Sequence, residues 1–200
     1  MFTGIVQSVG RISALHSRGE DRRLVIDTAG LDLANAGLGD SIAVSGVCLT
    51  AVSLDDGRFA ADVSNETLAC TTLGSLAAGA RVNLEKALTA STPLGGHLVS
   101  GHVDGVGEVL ERGDDARSVR MRLRAPSTLS RYVARKGSIC IDGVSLTVNE
   151  VDGDVFGINL VPHTLEHTTL GEFAAGRRVN LEVDLVARYL ERLLEARAGA

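Results

Sequence analysis

Apolar residues alternate with small or polar ones at a period of two in "SIAVSGVCLTAVSL" (41–54), and again in "SICIDGVSLTVNEV" (138–151). This is the pattern of strands that turn one face to a core. "RLVIDT", "RFAADVS" and "VFGINLV" read as further short strands, with Gly or Asp-Gly punctuation between them. So many short strands per hundred residues predict a closed or sandwiched antiparallel sheet. Three stretches depart from the two-residue period. "TLACTTLGSLAAG" and "TLEHTTLGEF" each predict a single helical turn covering a barrel end. "PSTLSRYVARKG" has the Ser/Thr start and the Leu/Tyr/Val spacing of a short helix ended by Gly137. In "LVARYLERLLEARAG", Leu185, Tyr189, Leu193 and Ala196 with Val186, Leu190 and Leu194 form one stripe at helical spacing, opposite Glu191, Arg192, Glu195 and Arg197. Such a helix either lies on its own barrel or packs against other copies of the chain.

The pattern is written twice. An offset of 97 residues carries "TGIVQSVG" (3–10) onto "SGHVDGVG" (100–107), "GVCLT" (46–50) onto "GVSLT" (143–147), and "ETLACTTLGSLAAGARVNLE" (66–85) onto "HTLEHTTLGEFAAGRRVNLE" (163–182). That period is too long for a solenoid, so each copy predicts a domain with its own core: 1–97, then 98–184, with 185–200 as a terminal helix that has no counterpart in the first copy.

Composition narrows the partners. The chain has 200 residues, 44% hydrophobic and 22% charged, and no apolar run approaches the roughly 20 residues needed to cross a bilayer. The start has neither a basic flank nor an apolar signal core, so a cytoplasmic protein is expected. Cys48, Cys70 and Cys140 are odd in number and far apart, which suits neither a disulfide framework nor a paired metal knuckle. A net charge of −5, with four Phe, two Tyr and no Trp, offers no footprint for nucleic acid. A small molecule is the expected partner.

The sequence lacks a phosphate-binding Gly-rich loop, HExxH, GxSxG and CxxC. The candidates for chemistry are instead polar residues at matched places in the two copies. Alternation puts Val47 and Leu49 on one strand face, with Cys48 and Thr50 on the other. Val144 and Leu146 are likewise opposed by Ser145 and Thr147. His97 and His102, five apart in an extended segment, point to opposite faces, which disfavours a shared metal. The copies diverge at chemical positions: His102 stands where the first copy has Ile5, Lys136 where it has Gly39, Asp142 opposite Ser45, Ser145 opposite Cys48, and His163 opposite Glu66.

"MFTGIV", "GVCLT", "ETL" followed by "TTLG", "GGHLVSGHVDG", "DGVSLTV" and "PHTLEHTTLG", in that order, resemble the riboflavin synthase family of the alpha-chain type, built from two lumazine-binding repeats. The resemblance implies an all-β fold of two tandem, similar six-stranded Greek-key barrels plus a C-terminal α-helix that knits a homotrimer. It implies a dismutation without cofactor or metal, in which two molecules of 6,7-dimethyl-8-(1-D-ribityl)lumazine exchange a four-carbon unit between the first barrel of one subunit and the second barrel of the next. Association with a lumazine synthase shell is left open. A non-catalytic lumazine or flavin carrier is the rival reading. Carried over by position, the first-barrel contacts are Gly4, Ile5, Val6, Cys48, Leu49, Thr50, and the run Asp62, Val63, Ser64, Asn65, Glu66, Thr67. The second-barrel contacts are Gly101, His102, Val103, Lys136, Ser145, Leu146, Thr147, and the run Val161, Pro162, His163, Thr164, Leu165, Glu166. His102 is the expected base, because an imidazole titrates near neutral pH. Ser145 with Asp142, and Cys48 on the other barrel, are expected to supply or orient a nucleophile; Ser41 and Lys136 complete the catalytic candidates. His97, just before the restart, reads equally as a hydrogen-bonded linker residue and as a catalytic one.

Overall fold

A computed structural model describes residues 1–55 and 57–198. The first repeat contributes β1 (Ser8–Arg18), β2 (Asp21–Asp27), β3 (Ser41–Val44), β4 (Val47–Asp55), β5 (Arg58–Val63), α1 (Asn65–Cys70) and β6 (Arg81–Lys86). The second contributes β7 (Gly105–Asp115), β8 (Ser118–Arg124), β9 (Ser138–Ile141), β10 (Val144–Asp152), β11 (Val155–Leu160), α2 (Pro162–His167) and β12 (Arg178–Val183), followed by α3 (Leu185–Ala198). The two terminal residues of the expected helix, 199 and 200, lie outside the described residues.

The strands close into two antiparallel barrels, β1-β2-β5-β4-β3-β6 and β7-β8-β11-β10-β9-β12, with identical Greek-key order. Each long alternating stretch of the sequence is not one strand but a hairpin. Its centre is a two-residue turn, Ser45-Gly46 (φ 45° and 81°) or Asp142-Gly143 (φ 44° and 81°). Both residues of each turn have positive φ, the geometry that matches the twist of a tight hairpin. Alternation then sends Ile42, Val44, Val47 and Leu49 into one core, and Ile139, Ile141 and Val144 into the other. Each such side chain is worth about 2 kcal/mol of burial.

Two expectations change in detail. The turn after β5 is a full short helix, α1, followed by a 3-10 turn over Thr72–Ser75, and α2 is followed likewise by Thr169–Glu172. In contrast, "PSTLSRYVARKG" forms only one 3-10 turn, Ser130–Tyr132. Its backbone closes i to i+3 bonds, Leu129 N to Pro126 O, Tyr132 N to Leu129 O and Val133 N to Ser130 O. Leu129 and Val133 flank that turn and are buried in the second core.

The barrels meet along a pseudo-two-fold seam. Asn83 Nδ2 donates to Asp142 O and Asn180 Nδ2 to Ser45 O, each at 2.8 Å, while Thr72 N reaches Asn180 Oδ1 at 2.7 Å and Thr169 N reaches Asn83 Oδ1 at 2.8 Å. All four bonds are buried, so each barrel satisfies polar groups that the other would leave stranded. The two tight turns stack back to back here: a Cβ added to Gly143 would lie 2.8 Å from Gly46 N. Phe2, Ala43, Val99 and Cys140 fill a small apolar cluster of their own.

The helix α3 touches the second barrel through its polar side. Arg188 binds both Asp104 oxygens at 2.7 and 2.8 Å, and Glu191 accepts from Arg131 at 3.1 Å and from the Tyr132 hydroxyl. The apolar stripe faces outward: Val186 and Tyr189 are each 67% exposed and Leu193 69%.

Candidate active site

The outer faces of β4 and β10 form two matching platforms. Cys48 and Ser145 are half-buried, Thr50 and Thr147 exposed; Leu49 lies in the first core and Leu146 packs against the second. Ser41 is the cross-strand neighbour of Thr50 on β3, and its counterpart Ser138, which the sequence alone did not single out, is the neighbour of Thr147 on β9.

Each platform is completed by a segment from the other repeat. Ser145 N donates to Gly4 O and Cys48 N to Gly101 O, both at 2.8 Å. Val6 packs against the second core and Val103 against the first. The grouping therefore differs from the one the repeat boundaries suggested: Gly4, Ile5 and Val6 lie on the Ser145 barrel, and Gly101, His102 and Val103 follow the Cys48 barrel. The crossing is fixed by two buried carboxylates. Glu85 on β6 accepts from Thr3 N at 2.7 Å, Thr3 Oγ1 at 2.6 Å and Gly4 N at 3.0 Å. Glu182 on β12 accepts from Ser100 N at 2.6 Å, Ser100 Oγ at 2.7 Å and Gly101 N at 2.9 Å. Burial pushes the Glu85 carboxyl above its ordinary range, and the bonds from Thr3 and Gly4 oppose that shift. Gly4 and Gly101 have φ of 75° and 81°, and a Cβ at either would lie 2.6 Å from the Ser145 or Cys48 Cβ, so the approach requires glycine.

The two histidines part company at this crossing. His97 is buried on the Ser145 side, where its Nδ1 lies 2.7 Å from Ser145 Oγ and its backbone N donates to Thr3 O at 3.1 Å. Its Nε2 is buried without a partner. Burial lowers the imidazole's pKa below its usual value, against a smaller opposing pull from Asp184. It is therefore neutral at pH 7, able to accept the Ser145 hydroxyl proton. His102 follows Gly101 on the Cys48 side and is exposed, its N donating to Ser100 Oγ at 3.2 Å. The His97–Ser145 contact was not legible in the sequence, which placed these residues 48 positions apart.

Asp142 does not reach toward the Ser145 hydroxyl as expected. It is 2% exposed at the seam, with Oδ1 accepting from Asn180 N at 2.7 Å, and the orienting of Ser145 falls to His97. Burial raises the Asp142 carboxyl to a pKa of about 7. Lys136 is exposed at φ 68°, its N donating to Val148 O at 2.8 Å, where the first repeat uses Gly39 at φ 91°.

The remaining candidates border the platforms. Asp62 is held by Arg23 through both oxygens at 2.7 Å, and this pairing keeps its carboxyl below the ordinary range. Val63 is core; Ser64 caps α1 by accepting from Thr67 N at 3.2 Å; Asn65 N donates to Asp21 at 2.9 Å; Glu66 accepts from the Cys70 thiol at 3.3 Å. On the second barrel Val161 and Pro162 open α2 without a side-chain cap. Thr164 O accepts from the Thr168 hydroxyl at 2.7 Å and Leu165 packs on the core, while His163 and Glu166 are exposed.

Two such barrels, each presenting a strand platform finished by its twin, define a tandem lumazine-binding protein: the lumazine binding domain family matches residues 3–87 and 100–184. The chain is 49% identical to riboflavin synthase of Photobacterium phosphoreum over 97% of its own length and 89% of that protein, and 48% identical to riboflavin synthase of Mycobacterium tuberculosis over 98% and 99%. It is 40% identical to the Bacillus subtilis riboflavin synthase over 97% and 90%. The chain belongs to the riboflavin synthase family, a family of enzymes that transfer a four-carbon unit. Among solved structures, LumP complexed with riboflavin superposes with a TM-score of 0.84 at 27% identity, covering 92% of this chain and 99% of that one, and LumP is also known complexed with 6,7-dimethyl-8-(1'-D-ribityl)lumazine, with a TM-score of 0.82.

Proposed function

We propose that the chain converts two molecules of 6,7-dimethyl-8-(1-D-ribityl)lumazine into riboflavin and 5-amino-6-(D-ribitylamino)uracil, one substrate on each kind of platform. The carrying observation is the 2.7 Å contact between His97 Nδ1 and Ser145 Oγ on a surface the chain builds twice. A neutral imidazole against a hydroxyl is the arrangement that frees an oxygen nucleophile, from serine or a water held in its place, to add at C7 of a lumazine. His102, exposed beside the other platform, is suited to take a proton from the acidic C7 methyl of the second lumazine. Cys48 offers the matching group on the first barrel. Strand edges and loop amides bind the pyrimidinedione, and Thr50, Thr147 and Ser64 meet the ribityl chains. Transfer of the four-carbon unit balances without an external oxidant. Holding two reactants face to face can itself contribute on the order of 7 kcal/mol.

The outward apolar stripe of α3 offers a surface for assembly, and the family resemblance supports a homotrimer in which the first barrel of one subunit faces the second barrel of the next. No helix among the described residues is long and apolar enough to cross a membrane.

Mixing purified protein with the lumazine alone should release riboflavin and the diaminouracil in equal amounts, read by riboflavin absorbance. Tight binding with no riboflavin formed would overturn the proposal in favour of a carrier. Truncation after Asp184 should reduce the solution mass to that of a monomer; an unchanged oligomer would rule out α3 as the element that holds the trimer.

A further inference from the structure

We infer that a cleft across the seam between the barrels binds a phosphate group, free or as a small phosphate monoester, on Arg11, Arg81 and Arg177. The cleft has a volume of about 380 Å³, and Leu76 and Phe173, equivalent residues of the two repeats, both line it. Three guanidiniums and one carboxylate, that of Glu172, line the same space, an excess of positive charge on a chain whose net charge is −5. The strands force two of these charges together. Arg11 on β1 is the direct cross-strand partner of Arg81 on β6, and like charges so opposed destabilise a sheet. Glu172 pairs with Arg81 alone, while the Arg11 guanidinium turns to Gly79 O at 3.2 Å. Arg177 is set over the Phe173 ring at 5.3 Å from its centroid, and no ion pair among the described residues neutralises it. Thr169, which also lines the cleft, is 3% exposed, and its Oγ1 is buried without a partner. A hydroxyl in that state can donate to an incoming oxyanion without giving up a bond. Guanidinium forks beside a hydroxyl are donors matched to phosphate oxygens.

The other half of the seam shows that the barrels do not require this charge. There the equivalent cross-strand pair is Glu108 opposite Arg178, of opposite sign, while Ala80 stands for Arg177 and Ser75 for Glu172. The contact that serves the fold is common to both halves: Thr169 N to Asn83 Oδ1 recurs as Thr72 N to Asn180 Oδ1. Positive charge has been collected on one side of a two-fold scaffold, and a bound dianion is what would balance it. The Glu172 carboxylate, on an exposed residue, is a replaceable occupant, because an ion pair at the surface is worth at most about 1 kcal/mol. No residue of either platform lines the cleft, so the site stands apart from the function proposed above.

The test is a calorimetric titration of sodium phosphate, and separately of glycerol phosphate, into lumazine-free full-length protein in a low-salt buffer, with sodium acetate as the control anion. One saturable site per chain is expected for phosphate; tighter binding of the ester would identify a monoester as the ligand, and weaker binding the free ion. Arg11→Glu, which copies Glu108, should weaken binding about tenfold or more. Thr169→Val should weaken it less, and Glu172→Ser, which copies Ser75 and releases Arg81, should strengthen it. Arg178→Gln, in the other half of the seam, should leave it unchanged. Thermal melting separates binding from folding: without phosphate Arg11→Glu should melt no lower than the native protein, and it should lose the rise in Tm that phosphate gives. No saturable binding, equal binding of acetate, undiminished binding by Arg11→Glu, or loss of binding in Arg178→Gln would each overturn the site, and a lower Tm in Arg11→Glu would overturn the repulsion it rests on.

Discussion

The two barrels share strand order, hairpin turns, seam asparagines, anchoring glutamates and the platform hydroxyls Thr50/Thr147 and Ser41/Ser138, yet they differ at Cys48/Ser145, Ile5/His102, Gly39/Lys136 and Glu66/His163. On the first, Cys48 sits beside Gly101, and Asp62 is neutralised by Arg23 across the strands. On the second, Ser145 is gripped by a neutral imidazole, and the cross-strand partner of Asn159 is Arg120, which turns to Asp115 instead. Duplication kept what closes a barrel, and changed some of the side chains on the platforms. Within one chain, this gives a control for every proposed site residue: its twin in a nearly identical setting.

The largest expected effect comes from removing the titrating carboxyl that the second repeat carries at the seam where the first has Ser45. Asp142 titrates near 7 in the folded protein and near 3.8 when unfolded, so the folded state holds an extra proton between those values. Stability therefore falls as pH rises from about 4 to about 7, by on the order of 4 kcal/mol in full, and is flat above. Asp142→Asn keeps an acceptor for Asn180 N and removes the titration. Its urea midpoint should match wild type near pH 4 and exceed it at pH 8, and parallel profiles would break the comparison. Next comes His97→Gln, which deprives the second platform of its base. It should lower kcat by about 100-fold, close to 3 kcal/mol in barrier, with lumazine affinity little changed; a loss confined to KM would reduce His97 to a binding residue. Cys48→Ser, which makes the platforms alike, should cost less. The smallest effect belongs to Lys136→Gly, which copies the first repeat at a left-handed position. Relief of backbone strain should raise stability by about 1 kcal/mol, seen as a higher Tm, while lumazine binding weakens. A lower Tm would mean that the lysine serves the fold.

Fold class, repeat length and the strands β2 to β5 and β9 to β11 were legible because their sequences alternate apolar residues with small or polar ones. β6 and β12 were not singled out by alternation. In "RVNLEK" and "RVNLEV" the outer-face residues Asn83, Glu85, Asn180 and Glu182 are buried against the other barrel or the crossing segments, so both faces are covered. β1 and β7 hide their period behind bulges between Ile12 and Ala14 and between Val109 and Glu111. The matched pairs Cys48/Ser145 and Thr50/Thr147 could be read from spacing. The crossing could not, because an offset between copies reports which residues are equivalent and is silent on which copy each one serves. For the same reason the opposite directions of His97 and His102 were predictable, but not that they lead to different barrels.

The crossing of Gly4–Val6 and Gly101–Val103 makes each repeat depend on its twin. A single repeat folded alone would have a bare platform and a start segment with nowhere of its own to dock. Two such molecules would cure both defects by trading arms, forming a two-fold dimer. Joining the end of one to the start of the other preserves that exchange as an intramolecular contact, so the halves of this chain are better described as a dimer made permanent by a peptide bond than as two beads on a string.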